Sequence, residues 1–489
     1  MSAPNTSAQG AGAQGASAQS ASLQTAGPQN AGLNPLAVEL NEIITQQAPA
    51  LMRMLSPLGK VLYYPKGILT QSAEAGQKAH RYNATIGEAR EEQHSMGLPS
   101  ITRQLCNLDP DQVLPYAPSA GRNDLRAAWL EEIKKKNPSL GDIPVSLPVV
   151  TSGITHGLST VADMFLDEGD TLLVPDQVWG NYKLIFGIKR GARLVNYPLL
   201  RFGGRAGLEG SADLEDKAAS EGAGPGGGFD LEGFGALVRQ HAGAGKLAVL
   251  LNFPNNPTGY SITTAEAEAI RDLLIQAAAE QECDIIAICD DAYFGLFYDD
   301  EVLKESLFTL LAGAHPRILA IKLDGASKED YAWGLRVAFI TYGIAGGEGA
   351  YQALEKKTAG CIRGTISNSP NVSQALVLRA MNDPAYRKEK ADKYAILAGR
   401  AAKARAILAQ PKFDEVWTRY PFNSGYFLCV RLNHLHAEEY RVRLLNDYGI
   451  GVISTSDTDI RVAISCVDET DLDDLFDVML TCALEMQAE

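Results

Sequence analysis

The sequence predicts an α/β protein: a large domain with a mostly parallel, seven-stranded sheet between helices, followed by a smaller α+β domain. Seven short apolar runs do not alternate with polar residues, which is typical of strands buried on both faces. Helical stretches separate several of the runs, for example 124–136 and 264–282. The runs occupy residues 147–151, 171–175, 193–197, 246–252, 284–290, 317–323 and 335–342.

The pattern changes near residue 373, and this change sets the expected domain boundaries. A helical stretch over 373–410, broken near Pro384, precedes short strands at 425–431 and 460–465 and a closing helix over 472–486. We expect a large domain over 106–372 and a small domain over 373–489, to which segment 35–105 contributes. The first helix is expected to begin at Asn34-Pro35, because asparagine caps helices and proline suits the first helical position.

Two low-complexity segments are expected to lie outside the packed core. Residues 1–34 carry no charge and almost no large apolar side chain, so they are predicted to be disordered. Residues 203–228 are rich in glycine and alanine, and they are predicted to form a flexible insertion on a surface loop.

Composition excludes several classes of function. The 489 residues carry a net charge of -15, which argues against non-specific binding to nucleic acid or anionic membranes. The seven cysteines are scattered without a Cys-x-x-Cys pair, and the seven histidines show no metal-ligand spacing, so we expect no metal. No apolar run approaches the roughly 20 residues of a membrane span, and no signal peptide is recognised. A cytoplasmic enzyme is expected.

The stretch around Lys328 points to the chemistry. An apolar strand ends in a small-residue turn, Lys328 follows it, and Arg336 comes eight residues later. A lysine desolvated at the mouth of a sheet has a lowered pKa and becomes nucleophilic, as a Schiff base with pyridoxal phosphate requires. Arg336 would then bind the cofactor's phosphate. The alternative for Lys328 is the commoner one, a solvated loop lysine.

Four other stretches fall at predicted strand ends and have unusual chemistry. Residues 150–158 form a strand, a small-residue turn and a helix start, which can hold a phosphate but is also a common turn. Trp179 in 175–182 can stack on a planar ring or fill the core. Residues 251–260 contain the tight turn Asn-Asn-Pro-Thr-Gly. Residues 288–295 end a strand in two acids and a tyrosine, where a buried carboxylate needs a cationic partner.

These five stretches, in this order, resemble the fold-type-I pyridoxal-phosphate enzymes, specifically the class I and II aminotransferases with aspartate aminotransferase as archetype. The resemblance extends from about Asn34 to the C-terminus, and Lys328 and Arg336 have the family's spacing. It implies pyridoxal 5′-phosphate as cofactor. It also implies a ping-pong transfer of an amino group from an L-amino acid to a 2-oxo acid.

The resemblance assigns a role to each matching residue. Lys328 forms the Schiff base and shuttles a proton, and Asp290 pairs with the pyridine nitrogen, with Asp291 as the alternative acid. Tyr293 and Asn256 bind the ring's phenolic oxygen, and Trp179 stacks on the ring. The implied phosphate ligands are Gly153, Ile154, Thr155 and Arg336, together with Tyr116, which matches the tyrosine that reaches the neighbouring subunit and therefore implies a homodimer.

The resemblance also assigns residues that bind the substrate. Arg461 matches the arginine that grips the α-carboxylate, although an edge-strand arginine is also ordinary. Gly87 matches the glycine that closes over that carboxylate. Arg363 lies where dicarboxylate-specific members carry a second arginine, which would make aspartate or glutamate the donor. An Arg363 that points to solvent or to the interface removes this inference.

One position departs from the family pattern. The serine that often stands three residues before the lysine, as a phosphate ligand, is Gly325 here. Ser327 or a water would compensate for the lost hydroxyl, or the phosphate site is built differently.

Other functions remain open on the same scaffold, because fold does not determine reaction. A pyridoxal-phosphate lyase or decarboxylase would share the cofactor residues, and so would an aminotransferase for aromatic or aliphatic amino acids. A non-catalytic regulatory protein is disfavoured, because residues before Asn34 are too few for a DNA-binding domain and Lys328 is present.

Overall fold

The computed structural model describes residues 33–63, 67–92, 94–201 and 227–489. The predicted disordered tail and the predicted insertion therefore lie outside the described residues, apart from residues 33, 34, 227 and 228. The contacts divide the chain into one unit that ends at Tyr64 and a second unit that begins at Pro65.

Within its described residues, 33–63, the first unit contains three helices, Pro35–Gln47, Pro49–Met54 and Pro57–Val61, and each begins with proline at its first position. Proline is suited to this position because the first helical N–H has no partner within the helix. Asn34 caps the first helix, where its side chain accepts a hydrogen bond from the Leu36 amide at 3.0 Å. The predicted helix start is confirmed.

A seven-stranded sheet forms the centre of the second unit. In chain order its strands are β1 (Val149–Thr151), β2 (Thr171–Pro175), β3 (Arg193–Tyr197), β4 (Lys246–Asn252), β5 (Asp284–Asp290), β6 (Ile318–Gly325) and β7 (Ala338–Gly343). The order across the sheet is β1-β7-β6-β5-β4-β2-β3. Only β7 runs against its neighbours, so the prediction of a mostly parallel seven-stranded sheet is confirmed.

Both faces of this sheet are buried, because successive side chains of a strand point to opposite faces. In β4, Leu247, Val249 and Leu251 belong to one apolar core, whereas Ala248 and Leu250 belong to another. The longer helices of this region are Asn123–Lys136, Ile154–Phe165, Leu231–Ala242, Thr264–Glu280 and Tyr351–Thr365.

A second sheet lies in the C-terminal part of the chain. Its strands are β8 (Trp417–Arg419), β9 (Phe427–Leu432), β10 (Ile453–Ser454) and β11 (Asp459–Ala463), arranged β8-β9-β11-β10 with every pair antiparallel. The helices here are Asn371–Met381, Tyr386–Leu408, Ala437–Tyr448 and Leu472–Ala488. The first two flank Pro384, so the predicted helix break is confirmed. The limits predicted for the domains stay predictions.

Residues 68–83 pack on the C-terminal part. Helix Ile68–Lys78 precedes strand Tyr82–Asn83, which pairs in parallel with strand Ile450–Gly451. The remaining short strand pairs are Arg90–Glu91 with His94–Ser95 and Leu200–Arg201 with Gly228–Phe229. The remaining short α-helices of the described residues are Pro99–Thr102, Pro110–Val113, Phe308–Leu311 and Ala326–Glu329, and Lys183–Ile188 form a π-helix.

Strand limits differ from the prediction beside the central motif. Strand β7 begins at Ala338 rather than at 335, because Trp333–Leu335 form a 3-10 turn and Arg336 has a left-handed backbone with φ of 54°. Strand β6 continues to Gly325, and β1 begins only at Val149. The apolar character of these residues does not reveal where backbone pairing starts and stops.

The structure explains why glycine occupies position 325. Gly325 pairs with Ala338 across β6 and β7, and a Cβ at position 325 would lie 2.6 Å from both the Ala338 Cα and the Val337 carbonyl oxygen. These are backbone atoms, so a side chain cannot be accommodated without moving a strand.

We therefore predict that Gly325→Ser lowers the free energy of unfolding by about 1–3 kcal/mol, because overpacking displaces the β6–β7 pair. Urea unfolding of the cofactor-free protein measures this change. Gly334→Ser is the matched control, because no atom lies within 4 Å of a Cβ built there. Equal stability of Gly325→Ser and the wild type would contradict the steric explanation.

Candidate active site

The site lies at the edge of the central sheet where the parallel strands end. Gly153 follows β1, Trp179 follows β2, Asn256 follows β4, Asp290 ends β5 and Lys328 follows β6. Strand β7 runs in the opposite direction and begins at this same edge, immediately after Arg336. The topology therefore brings together side chains that are up to 183 residues apart in the sequence, from Gly153 to Arg336.

Lys328 occupies the four-residue helix Ala326–Glu329 and is half-buried. Its Nζ lies 5.4 Å from the centre of the Tyr293 ring. Burial lowers the pKa of Lys328 to about 8, with Asp290 opposing this shift and Arg336 adding to it. Roughly one-tenth of this amine is therefore neutral near pH 7, far more than for an ordinary lysine, and the neutral amine is the nucleophilic form.

Asp290 is buried and holds two hydrogen bonds. Its carboxylate accepts from the Tyr182 hydroxyl at 2.6 Å and from the Ala292 amide at 3.2 Å. Burial raises the pKa of Asp290 to about 6, although the Tyr182 hydrogen bond and the charge of Lys328 both favour the ionised form. The carboxylate is thus suited to pair with a cation placed at the sheet edge.

Tyr182 is a site residue that the sequence did not reveal. It is buried, and its ring packs edge-to-face against Trp179 at 5.5 Å between centres. A buried tyrosine needs a hydrogen-bond partner, but the partner, Asp290, lies on a distant strand. The sequence signal is only that Tyr182 stands three residues after Trp179.

The two adjacent acids have different partners. Asp291 contacts Lys322 and accepts a hydrogen bond from the Ser306 hydroxyl at 2.6 Å. Lys322 also lies 3.4 Å from Asp324. Because neighbouring residues of an extended segment point to opposite sides, Asp291 is engaged by Lys322 whereas Asp290 remains at the sheet edge near Lys328.

Arg461 in β11 is a buried cation without an acidic partner among the described residues. It donates to the Asn256 side-chain oxygen at 3.1 Å and to the Thr85 carbonyl at 2.7 Å. Its guanidinium lies 4.2 Å from the centre of the Phe427 ring, and its Nε has no hydrogen-bond partner in the described part of the chain. Burial lowers the pKa of Arg461. An uncompensated buried guanidinium favours binding of an anion.

Gly87 and Tyr293 adjoin this arginine through Phe427. A Cβ on Gly87 would lie 3.3 Å from the Phe427 ring and 3.5 Å from the Tyr293 hydroxyl oxygen. Tyr293 packs edge-to-face on Phe427, and burial raises the pKa of Tyr293, so its hydroxyl remains protonated and can donate. The structure thus brings Gly87, Asn256, Tyr293 and Arg461 together, as the sequence predicts.

A glycine turn, a helix N-terminus and an arginine meet where β1 leads into its helix. Gly153 precedes helix Ile154–Phe165 with φ of 82°, a conformation that favours glycine. A Cβ at Gly153 would lie 2.3 Å from Arg336 Nη2, so the guanidinium occupies the space above the glycine. The amides of Ile154 and Thr155 open the same helix, and a helix N-terminus beside an arginine favours a phosphate.

The Ser327 side chain, directly before Lys328, has a hydroxyl that is available to bind a ligand. The residue is buried, and its Oγ has no hydrogen-bond partner among the described residues. A buried hydroxyl without a partner costs free energy unless a ligand or water completes it. Ser327 is therefore free to replace the hydroxyl absent at Gly325, and the alternatives, a water or a phosphate site built differently, stay open.

Two predicted residues are not brought to Lys328 within one chain. Tyr116 is 91% exposed. Arg363 is exposed in the last turn of helix Tyr351–Thr365, where it contacts the Ser367 hydroxyl. Their predicted roles both require a second subunit and stay predictions. An Arg363 that stays exposed, or lies in the interface, once two subunits are joined removes the inference of a dicarboxylate donor.

The residues present fit pyridoxal phosphate. A lysine of lowered pKa suits its aldehyde, a buried carboxylate suits a protonated ring nitrogen, and the Gly153–Arg336 site suits its phosphate.

Within residues 33–63, 67–92, 94–201 and 227–489 we find no cluster of three or more acidic, histidine or cysteine side chains able to hold a metal. The same part of the chain contains no helix long and apolar enough to cross a membrane.

Comparison with known proteins identifies the family. Residues 82–479 match the family Aminotransferase class I and II. Aspartate aminotransferase of Bacillus sp. (strain YM-2) is 25% identical over 272 residues, which span 55% of this chain and 57% of that protein. Arginine–pyruvate transaminase of Pseudomonas aeruginosa is 25% identical over 69% of this chain and 73% of that protein.

The fold has counterparts among solved structures. An aminotransferase from Anaerococcus prevotii superimposes with a TM-score of 0.74 at 22% identity, covering 88% of this chain and 99% of that chain. This likeness confirms the fold-type-I architecture predicted from the sequence.

The pKa of Lys328 predicts a stability effect. We expect Lys328→Met to raise the free energy of unfolding of the cofactor-free protein near pH 7 by on the order of 2 kcal/mol, because the variant removes a buried charge. The folded-state pKa of about 8 lies below the ordinary value of 10.5. The destabilisation is therefore complete below the folded pKa and disappears as pH rises through the ordinary value.

Urea unfolding of both proteins near pH 7 and pH 10 measures this difference. Lys403→Met is the control, because Lys403 pairs with Asp473 on the surface at 2.6 Å. An equal gain for Lys328→Met at both pH values would contradict the electrostatic origin and indicate a packing effect.

Proposed function

The chain belongs to the aminotransferase class I and II family, and from this premise we propose that it is a pyridoxal-phosphate-dependent aminotransferase that uses an L-amino acid and a 2-oxo acid. The observation that carries the proposal is the position of Lys328. A half-buried lysine of lowered pKa lies at the sheet edge with a buried carboxylate, Asp290, and with the Gly153–Arg336 anion site.

We assign the cofactor contacts to the residues at this edge. Gly153, Ile154, Thr155, Ser327 and Arg336 would hold the phosphate. The ring would lie against Trp179, with its phenolic oxygen near Tyr293 and Asn256 and its nitrogen near Asp290. When bound, pyridoxal phosphate supplies an aldehyde that accepts an amino group and a ring that withdraws electrons from the substrate's Cα.

The chain's own groups would then perform distinct tasks. Arg461 binds the substrate α-carboxylate with its buried guanidinium, and Asn256 and Thr85 orient that guanidinium. Lys328 Nζ, with its pKa near 8, would take the proton from the substrate Cα and deliver it to the cofactor carbon that receives the amino group. Asp290 retains a proton at the ring nitrogen. The amino acid and the 2-oxo acid would react one after the other at this site, which gives ping-pong turnover.

Aspartate or glutamate is the proposed amino donor. Arg363 would reach the site from the second subunit and bind the distal carboxylate. The aspartate aminotransferases among the relatives support this choice, but the same comparison includes an arginine–pyruvate transaminase.

The chain spans about half the length of the first curated relatives it matches, 57% of each of the first two. A lyase or decarboxylase would use the same cofactor residues but release its product without an acceptor.

A homodimer is proposed from an apolar surface on each side of Tyr116. Segments 105–119 and 366–372 are joined by hydrogen bonds from Asn371 to the Gln112 carbonyl at 2.9 Å and from Ser119 to the Ser367 carbonyl at 2.9 Å. Together they expose large apolar side chains, and an exposed patch of this kind favours an interface. The exposed side chains are Leu105, Leu114, Tyr116, Ile366 and Val372.

We predict that L-glutamate, without an acceptor, changes the absorption of the cofactor-loaded protein near the visible range and yields one equivalent of 2-oxoglutarate per site. In Arg363→Gln the apparent affinity for glutamate should fall about 10–100-fold, because a charge-assisted contact is lost. Reaction with alanine, which has no distal carboxylate, should be unchanged.

Arg419→Gln serves as control, because Arg419 lies on the surface 3.7 Å from Asp414. An equal loss for glutamate and alanine in Arg363→Gln would rule out a distal-carboxylate role. Ammonia release without an acceptor would indicate a lyase. A protein unable to take up the cofactor would remove the proposed function.

We also predict that the protein sediments as a dimer and that Leu114→Glu raises the dissociation constant about 10–100-fold or more, because burying a charge replaces burying a leucine. Leu114 is 80% exposed in one chain. Leu484→Glu is the control at another exposed leucine. A monomeric wild type would contradict both the dimer and the proposed reach of Tyr116 and Arg363.

A further inference from the structure

The helix that carries Lys328 cannot maintain its position by itself. Ala326–Glu329 has four residues and no side-chain cap at Gly325. Isolated helices shorter than about 12 residues are marginal in water. The next residues add no regular structure, since Tyr331 has a left-handed backbone with φ of 54°. Contacts with other elements must therefore determine where Lys328 lies.

Two carboxylates directly after Lys328 make these contacts. Lys136 Nζ lies 2.8 and 2.9 Å from the two carboxylate oxygens of Glu329. Lys390 Nζ lies 2.8 Å from one oxygen of Glu329 and 2.8 Å from one oxygen of Asp330. The Tyr386 hydroxyl donates to Asp330 at 2.6 Å. We call Lys136, Lys390, Tyr386, Glu329 and Asp330 the lysine clamp.

The lysine clamp joins three elements. Lys136 ends helix Asn123–Lys136, whereas Tyr386 and Lys390 lie in the first turns of helix Tyr386–Leu408. Although burial favours a neutral acid, the charges of Lys136 and Lys390 lower the pKa of Glu329 to about 2. Two ammonium groups thus compensate two buried carboxylates, and removing one partner leaves a buried charge unpaired.

Open space adjoins the lysine clamp. A cavity of about 270 Å³ borders it and is lined by Phe294, Gly295, Leu296 and Tyr394 among others. Because Glu329 also lines this cavity, its side chain has space to turn once the clamp is broken. On the other side, the Tyr426 hydroxyl and the Tyr331 amide donate to the Lys328 carbonyl, at 3.0 and 3.3 Å, and the Ala326 amide donates to the Val337 carbonyl at 3.1 Å.

We propose that Lys136 and Lys390 are positioning residues that keep Lys328 in its desolvated place by holding Glu329 and Asp330. Neither lysine touches the reacting atoms. The inference rests on the proposed function, because it assumes that Lys328 is the reactive amine. Asp290, Tyr293 and Arg336 face Lys328 directly, and the clamp acts on it from behind through the backbone.

The test measures the proton affinity of Lys328 in the cofactor-free full chain. Competitive acetylation with acetic anhydride across pH, followed by mass spectrometry of the peptide that contains Lys328, reports the pKa of this amine. Glu329→Gln, Lys136→Met and Lys390→Met should each raise that pKa toward its ordinary value. A rise of about one unit lowers the neutral fraction near pH 8 roughly fivefold.

The direction of the shift separates positioning from simple electrostatics. If the clamp acted only through charge, Glu329→Gln would lower the pKa of Lys328 while Lys136→Met would raise it. Shifts in opposite directions, or no shift in any variant, overturn the proposal. Lys403→Met, on the same helix as Lys390, should leave the pKa unchanged.

Milder variants keep the test decisive where a clamp variant fails to fold. Tyr386→Phe removes one hydrogen bond to Asp330 and should raise the Lys328 pKa by a smaller amount in the same direction. Lys390→Arg keeps the charge and should restore most of the wild-type value. A wild-type Lys328 with an ordinary pKa would instead remove the proposed function, so the two failures are distinguishable.

Discussion

Partial desolvation of Lys328 beside the buried carboxylate of Asp290 is the constraint on which the rest of the site depends. Burial lowers the pKa of the amine to about 8 and raises that of the acid to about 6. Each group is therefore held near the point where it can exchange a proton or accept a charged partner at neutral pH. The other candidate binding residues are placed around this pair by the strand ends, by the helix N-terminus at Ile154 and by the C-terminal sheet.

The course of β7 is essential to this arrangement. Because β7 runs antiparallel, the chain that leaves the sheet after β6 returns to the same edge, and Arg336 is delivered opposite Gly153. The close β6–β7 pairing that allows this return leaves no room for a side chain at Gly325. The glycine at position 325 is thus a consequence of this packing constraint.

Buried charges in this protein fall into two groups. The first group is compensated within the chain and stabilises the structure; it includes the Lys322–Asp291 pair and the charged residues of the lysine clamp. Among the described residues Arg461 has no acidic partner, and Asp290 lies near the cation of Lys328 without a salt bridge. Because an unpaired buried charge is costly, the second group marks where ligands are expected to bind.

The sequence alone determined the sheet strands, the first helix cap, the break near Pro384 and the order of the motifs around Lys328, Asp290 and Arg336, because these features depend on local pattern and spacing. Three sets of contacts become visible only in the folded chain. Tyr182 donates a hydrogen bond to Asp290, and Arg461 donates to Asn256 and Thr85. Lys136 and Lys390 both donate to Glu329. These pairs are between 61 and 376 residues apart, and no local signal encodes which distant side chain satisfies a buried polar group.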